Sequence, residues 1–115
     1  MATKKTVKKT TKKTATKARA PYVIARCTQA GVHAGELVSR DEQGYVVLRN
    51  ARRIWYWSGA ASLSELAVYG ASKPQDCRFG ARIERQELRR EDACELIHCQ
   101  PAGRKMIESQ PEWRS

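Results

Sequence analysis

At 115 residues the chain is long enough for one domain with a modest core, and it carries no internal repeat of roughly 20 to 50 residues that would build a solenoid. Its 41% apolar content, with three Trp and four Tyr, is that of a soluble globular protein, and no apolar run approaches the roughly 18 residues of a membrane span, which excludes an integral helical membrane protein. The net charge of +10 is unevenly spread: residues 1–19 hold seven lysines, one arginine and no acid, whereas the other 14 basic residues are nearly balanced by all 12 acidic ones.

The predicted organisation is therefore a basic arm over residues 1–20 and a single domain over 21–115. The arm is low-complexity Lys, Thr and Ala, with Val7 its one larger aliphatic residue. It cannot bury enough apolar area to offset about 1–2 kcal/mol of backbone ordering per residue, so a disordered, extended arm is expected. Lys4, Lys5, Lys8, Lys9, Lys12, Lys13, Lys17 and Arg19 are its candidate contacts to DNA or RNA, because a mobile polycation meets phosphate by charge and without sequence preference. Its composition resembles the tails of linker histones and bacterial chromatin-like proteins. The alternative is a solubilising tail with no dedicated partner.

Pro21 closes the arm, and Tyr22 to Cys27 reads as a first strand. Gly31 and Gly35 bracket Val32-His33-Ala34 as a turn, Glu36 to Arg40 reads as a second strand, and residues 41–44 read as another turn. Tyr45 to Arg49 and Arg52 to Trp57 are joined by Asn50-Ala51, which predicts a tight hairpin, Asn being tolerant of positive φ. Ser62-Leu63-Ser64-Glu65 fits a capping box, Gly70 stands where such a helix would end, and Leu63, Leu66 and Ala67 supply its buried face. Further strands are predicted from Cys77 to Ile83 and from Ala93 to Cys99. Pro101 starts a second short helix carrying Met106 and Ile107, and Trp113 is placed to fold back on the core. The fold class is thus α+β: a small antiparallel sheet, a meander of four or more strands, with one or two short helices.

The block from Val32 to Ser39, together with the stretch from Leu48 to Ala67 that contains RNARRIWYWSGAASLSELA, resembles an uncharacterised family of small bacteriophage-encoded proteins, with likeness over most of residues 21–113. The resemblance implies a compact domain encoded by a phage accessory gene, acting in the host cytoplasm or carried in the virion. It implies no activity, ligand or catalytic residue.

The unusual feature of the domain is the run Arg49, Arg52, Arg53, Trp55, Tyr56, Trp57 leading to Gly59 and a helix start. Guanidinium forks for phosphate, indole planes for stacking and a glycine admitting phosphate to the backbone make Arg49, Arg52, Arg53, Trp55, Trp57 and Gly59 the candidate phosphate or nucleotide site. Period-two alternation puts Arg53, Trp55 and Trp57 on one face and Arg52, Ile54 and Tyr56 on the other. The competing reading makes the aromatics core or dimer interface, and the arginines solvated or paired with acids between Glu87 and Glu95.

Four cysteines without an apolar leader are expected as reduced thiols, and the spacing of Cys94, His98 and Cys99, even with Cys77, matches no zinc pattern. His33 has no nucleophile or acid near it in sequence, and the alternating acids and arginines from Arg82 to Glu95 read as a solvated face. These features lead to an expectation of a non-enzymatic protein with no cofactor and no metal. It would bind nucleic acid through the arm, with the domain giving oligomerisation or a second contact. The alternatives are an anti-defence protein that sequesters a small host nucleotide and a minor virion protein.

Overall fold

The computed structural model describes residues 20–40 and 44–114, so the eight cationic positions from Lys4 to Arg19 lie outside the described residues. Among the described residues six strands and two helices follow one another: β1 (Tyr22–Cys27), β2 (Val32–Arg40), β3 (Tyr45–Tyr56), α1 (Leu63–Tyr69), β4 (Arg78–Phe79), β5 (Ile83–Arg89), β6 (Ala93–His98) and α2 (Pro101–Ser109). All strand pairs are antiparallel. β1 pairs with β2 on one edge and β6 on the other; β2 pairs with β3; and the free edge of β3 is shared by β5 over its first half and β4 over its second.

This order places β5 and β6 at opposite ends of the ladder, yet only three residues join Arg89 to Ala93. That connection spans at most about 14 Å. The edges of a flat five-strand sheet would lie about 19 Å apart, so the sheet curls into a partly open barrel. Asp92 ties the β5–β6 turn to the β1–β2 turn: its carboxylate accepts the backbone amides of Gln29 (2.7 Å) and Ala30 (3.0 Å), and its carbonyl accepts that of Thr28 (2.9 Å).

Curling gives both sheet faces an apolar duty, which explains why β1 is buried at five of its six positions. Val23, Ala25 and Cys27 point into the barrel with Val46, Leu48, Ala51 and Leu88. Tyr22 and Ile24 point the other way, into a second core built with Ile54, Phe79, Leu63, Leu66, Ala67 and Ile107 beneath the helices. The capping box forms at α1: Ser62 Oγ accepts the Glu65 amide at 3.2 Å, and the Glu65 carboxylate accepts the Ala61 amide at 3.1 Å. Gly70 ends the helix with its N–H on Leu66 O. α2 crosses α1 at Gly103, where any β-carbon would collide with the Ala67 carbonyl.

Four local expectations differ from the structure. Val32–Ala34 is not a turn but the start of β2. Asn50-Ala51 does not close a hairpin, because β3 runs unbroken through it. The positive φ of Asn50 (51°) is absorbed as a bulge, with Ala34 opposite Arg52 and Glu36 opposite Arg49. The strand expected from Cys77 to Ile83 shrinks to Arg78–Phe79, and the charged stretch from Ile83 to Arg89 is itself a strand, because its alternating acids and arginines sit on an exposed barrel edge with Leu88 turned inward. Trp113 does not enter the core; it lies on the surface, 41% exposed.

Candidate functional site

The far half of β3 builds an unusual surface. Ile54 pairs with Phe79 and Tyr56 with Arg78, so two steps on β3 answer one on β4 and Trp55 is the extra residue of a bulge. The chain after α2 extends this patch: Phe79 bridges Glu112 in parallel, and Phe79 O accepts the Trp113 amide at 2.8 Å. The inner side of the resulting three-stranded patch is Ile54 and Phe79, both buried. Its outer side carries Arg53, Trp55, Tyr56, Arg78 and Trp113, all exposed.

These side chains form a row. The Arg53 guanidinium lies over the Trp55 ring at 5.8 Å, the Trp55 and Trp113 rings are 6.3 Å apart at a tilt of 58°, and the Arg78 guanidinium lies over the Trp113 ring at 5.3 Å. Trp55 is 59% and Tyr56 53% exposed. Beside Trp113 opens a depression of about 460 Å³ lined by Tyr56, Ser58, Gln75, Asp76 and Arg78.

Among the described residues neither Arg53 nor Arg78 has a carboxylate within ion-pair distance, which sets them apart from their neighbours. Arg26 pairs with Glu95, Arg49 with Glu36, Arg85 with Glu87 and Arg89 with Glu91. Glu112, the acid on the tail beside the row, is spent on Arg82 and Arg114. The Arg82 amide, helped by those two guanidiniums, holds its carboxyl below the usual range.

Residues 20–107 match the family described as a domain of unknown function, DUF6948. The chain belongs to that family. No curated protein and no solved structure matches it. The family description carries no activity, so the function of this DUF6948 domain must be argued from its own side chains.

Of the six domain positions expected to form a site, the DUF6948 fold puts only Arg53 and Trp55 on the outer row. Arg52, next in sequence to Arg53, is 1% exposed. Its guanidinium donates to Gly80 O (2.9 Å), Ile107 O (2.9 Å) and Gln110 O (2.7 Å), with longer bonds to Phe79 O and Pro111 O, so it neutralises the carbonyl end of α2 and ties it to β4. Arg49 is held by Glu36 at 2.9 Å, and Glu36 is shared with Arg104. The expected alternation fails at Trp57, because the Trp55 bulge reverses the parity: Trp57 packs with Ile54 against the helical core, and Tyr56 turns outward instead. Gly59 (φ 91°) closes a loop rather than facing a ligand. Its carbonyl accepts the Ser72 amide at 3.1 Å, and a β-carbon there would lie 2.7 Å from Ser72 N. The amides of Ala61 and Glu65 at the start of α1 are taken by the capping box.

Arg78, Tyr56 and Trp113 are the members of the row that sequence reasoning missed. A paired edge at Phe79 implies an outward Arg78, but the return of Trp113 depends on a bridge 33 residues distant in sequence, from Phe79 to Glu112, for which no local pattern exists. A depression of about 710 Å³ lies where residue 20 meets α2. Its Arg104 is already occupied by Glu36, Glu108 and Ala20 O.

The remaining reactive groups are scattered. Cys27 and Cys77 are buried, Cys99 is half-buried and Cys94 exposed; all four are free. Burial pushes the Cys27 thiol up to about 11 and that of Cys99 up to about 12. His33 is buried in β2, its Nε2–H donating to Ala30 O at 2.7 Å, and burial holds its pKa below the ordinary value. Among the described residues no group of three His, Cys, Asp or Glu side chains is placed to hold a metal ion, and no helix is long and apolar enough to cross a membrane.

Proposed function

We propose that this protein binds nucleic acid without sequence preference, as a binding protein rather than a catalyst. The lysines of residues 1–19 supply the electrostatic attraction and the Arg53–Trp55–Trp113–Arg78 row supplies a second contact. The observation that carries this reading is the pairing of exposed indoles with guanidiniums that have no carboxylate partner among the described residues. An arginine held over an aromatic ring and left without an acid is equipped for phosphate, and the ring beside it for a base. The +8 charge of residues 1–19 supports the same ligand class, since nucleic acid is the commonest intracellular polyanion.

The resemblance to small bacteriophage proteins makes the infected bacterial cytoplasm the proposed place of action and an accessory gene the proposed origin. A virion-borne role and sequestration of a small host nucleotide are the rival readings. The second of these loses Arg49, Arg52 and Trp57 from its site, and survives only at the depression beside Trp113.

Duplex DNA binding measured across salt concentration tests the proposal. Eight neutralised phosphates give a log K against log salt slope of about −7 at most. A chain beginning at residue 20 should lose nearly all of that slope and most of its duplex affinity. Duplex binding unchanged by this truncation would refute the role of the arm.

A further inference from the structure

Resting on the nucleic-acid reading above, we infer that the face formed by Arg53, Trp55, Tyr56, Arg78 and Trp113 stacks unpaired bases, so that the domain's own ligand is a single-stranded segment of DNA or RNA.

The rings lie on the solvent side of a sheet patch whose other side is core, so the indole planes are backed by a rigid support. Trp55 is set by the bulge between Ile54 and Tyr56, and Trp113 by its amide bond to Phe79 O. In a duplex the base faces are covered by their neighbours, and an indole cannot reach them without unstacking. A single strand presents those faces freely, and stacking on aromatic side chains is sequence-tolerant because every base has a π-face. Arg53 and Arg78 bracket the two indoles, one at each end of the row, where the phosphates flanking a stacked base would pass. The depression beside Trp113 adds an amide, Gln75, and an acceptor, Asp76, within reach of a base edge.

A second copy of the chain is the other occupant an exposed aromatic face invites. Charge argues against it. A two-fold contact sets the same patch against itself, which would bring Arg53 of one copy toward Arg78 of the other, with Glu112 already committed to Arg82 and Arg114.

The test uses the full chain and two labelled probes, a 20-nucleotide oligothymidylate and a 20-base-pair duplex, with anisotropy read at low and moderate salt. The double variant Trp55→Ala/Trp113→Ala should lose at least about tenfold in single-strand affinity while duplex affinity stays within about twofold. Trp55→Phe/Trp113→Phe, which keeps a ring at each position, should retain most single-strand binding and guards against a folding artefact. Equal losses on both probes, or no loss on either, would overturn the single-strand assignment while leaving the arm-based reading intact. Failure of the wild-type chain to bind either probe would overturn the nucleic-acid reading itself. If the double variant instead turned a dimer into a monomer in sedimentation with nucleic-acid binding unchanged, the face would be an interface between copies and the inference wrong.

Discussion

Arg52 and Arg53 are neighbours in the chain and occupy opposite environments. Arg52 points through the sheet to the helical side, is buried, and satisfies carbonyls of β4, α2 and the tail. Arg53 points outward over an indole and has no carboxylate partner among the described residues. The interior arginine is a structural clasp, because a buried cation is tolerated only when its donors are met. The exterior one lies over an exposed ring on the outer face, the position proposed to meet the ligand. An arginine-rich strand is therefore not a uniform basic patch: parity and bulges sort its cations into different environments.

The largest effect expected from breaking this division comes at the inner member. Arg52→Met removes the charge-assisted hydrogen bonds to the Gly80, Ile107 and Gln110 carbonyls, at about 1.5–3 kcal/mol each, so stability should fall by about 3 kcal/mol or more. For a domain of this size Tm should then drop by more than about 10 °C. A calorimetric Tm near that of the wild type would show that the buried guanidinium is not the clasp.

A smaller effect is expected at His33, which lies opposite Arg53 in the β2–β3 ladder and is buried. Its folded pKa lies below the ordinary value because of burial. Below about pH 6.5 the unfolded chain therefore binds a proton that the folded chain refuses. Stability should decline as pH falls from 7 through that value and level off at the folded pKa. Chemical denaturation of His33→Gln between pH 7 and 5.5 should show a shallower slope than the wild type; an unchanged slope would place the pH dependence elsewhere.

The least effect on stability is expected at the outer member. Arg53→Gln should change stability by less than about 0.5 kcal/mol, yet weaken oligonucleotide binding. Denaturation midpoint and binding measured on the same sample separate the two roles. The thiols sharpen the same contrast between inside and outside: Cys94 should react with a thiol reagent well before Cys27 and Cys99, whose burial raises their pKa to about 11 and about 12.

Much of this organisation was legible in the sequence where a local signal carried it. The α1 capping box, its buried Leu63, Leu66 and Ala67, the Pro101 start of α2, and the strands at Tyr22 and Ala93 all follow from short-range chemistry. What escaped depends on non-local pairing. Asn50 carries a hairpin-like φ, but only the partners on both sides of β3 decide that the strand continues through it. The Trp55 bulge, which separates Trp55 from Trp57, is likewise set by the register with β4. Ile83–Arg89 reads as a solvated charged stretch because it is an edge strand with a single deeply buried side chain, Leu88. Within the candidate site, Arg53 and Trp55 were visible as residue types in a suggestive run, whereas Arg78 and Trp113 join them only through the closing contact of the C-terminal tail with Phe79.

The chain has three tryptophans, two exposed on the proposed binding face and one packed against the core. Indole N–H resonances followed during titration of the full chain with oligothymidylate read that assignment directly. The signals of Trp55 and Trp113 should move together and saturably while that of Trp57 stays in place. Movement of Trp57 alone, or no movement of the outer pair while the oligonucleotide is bound, would contradict it.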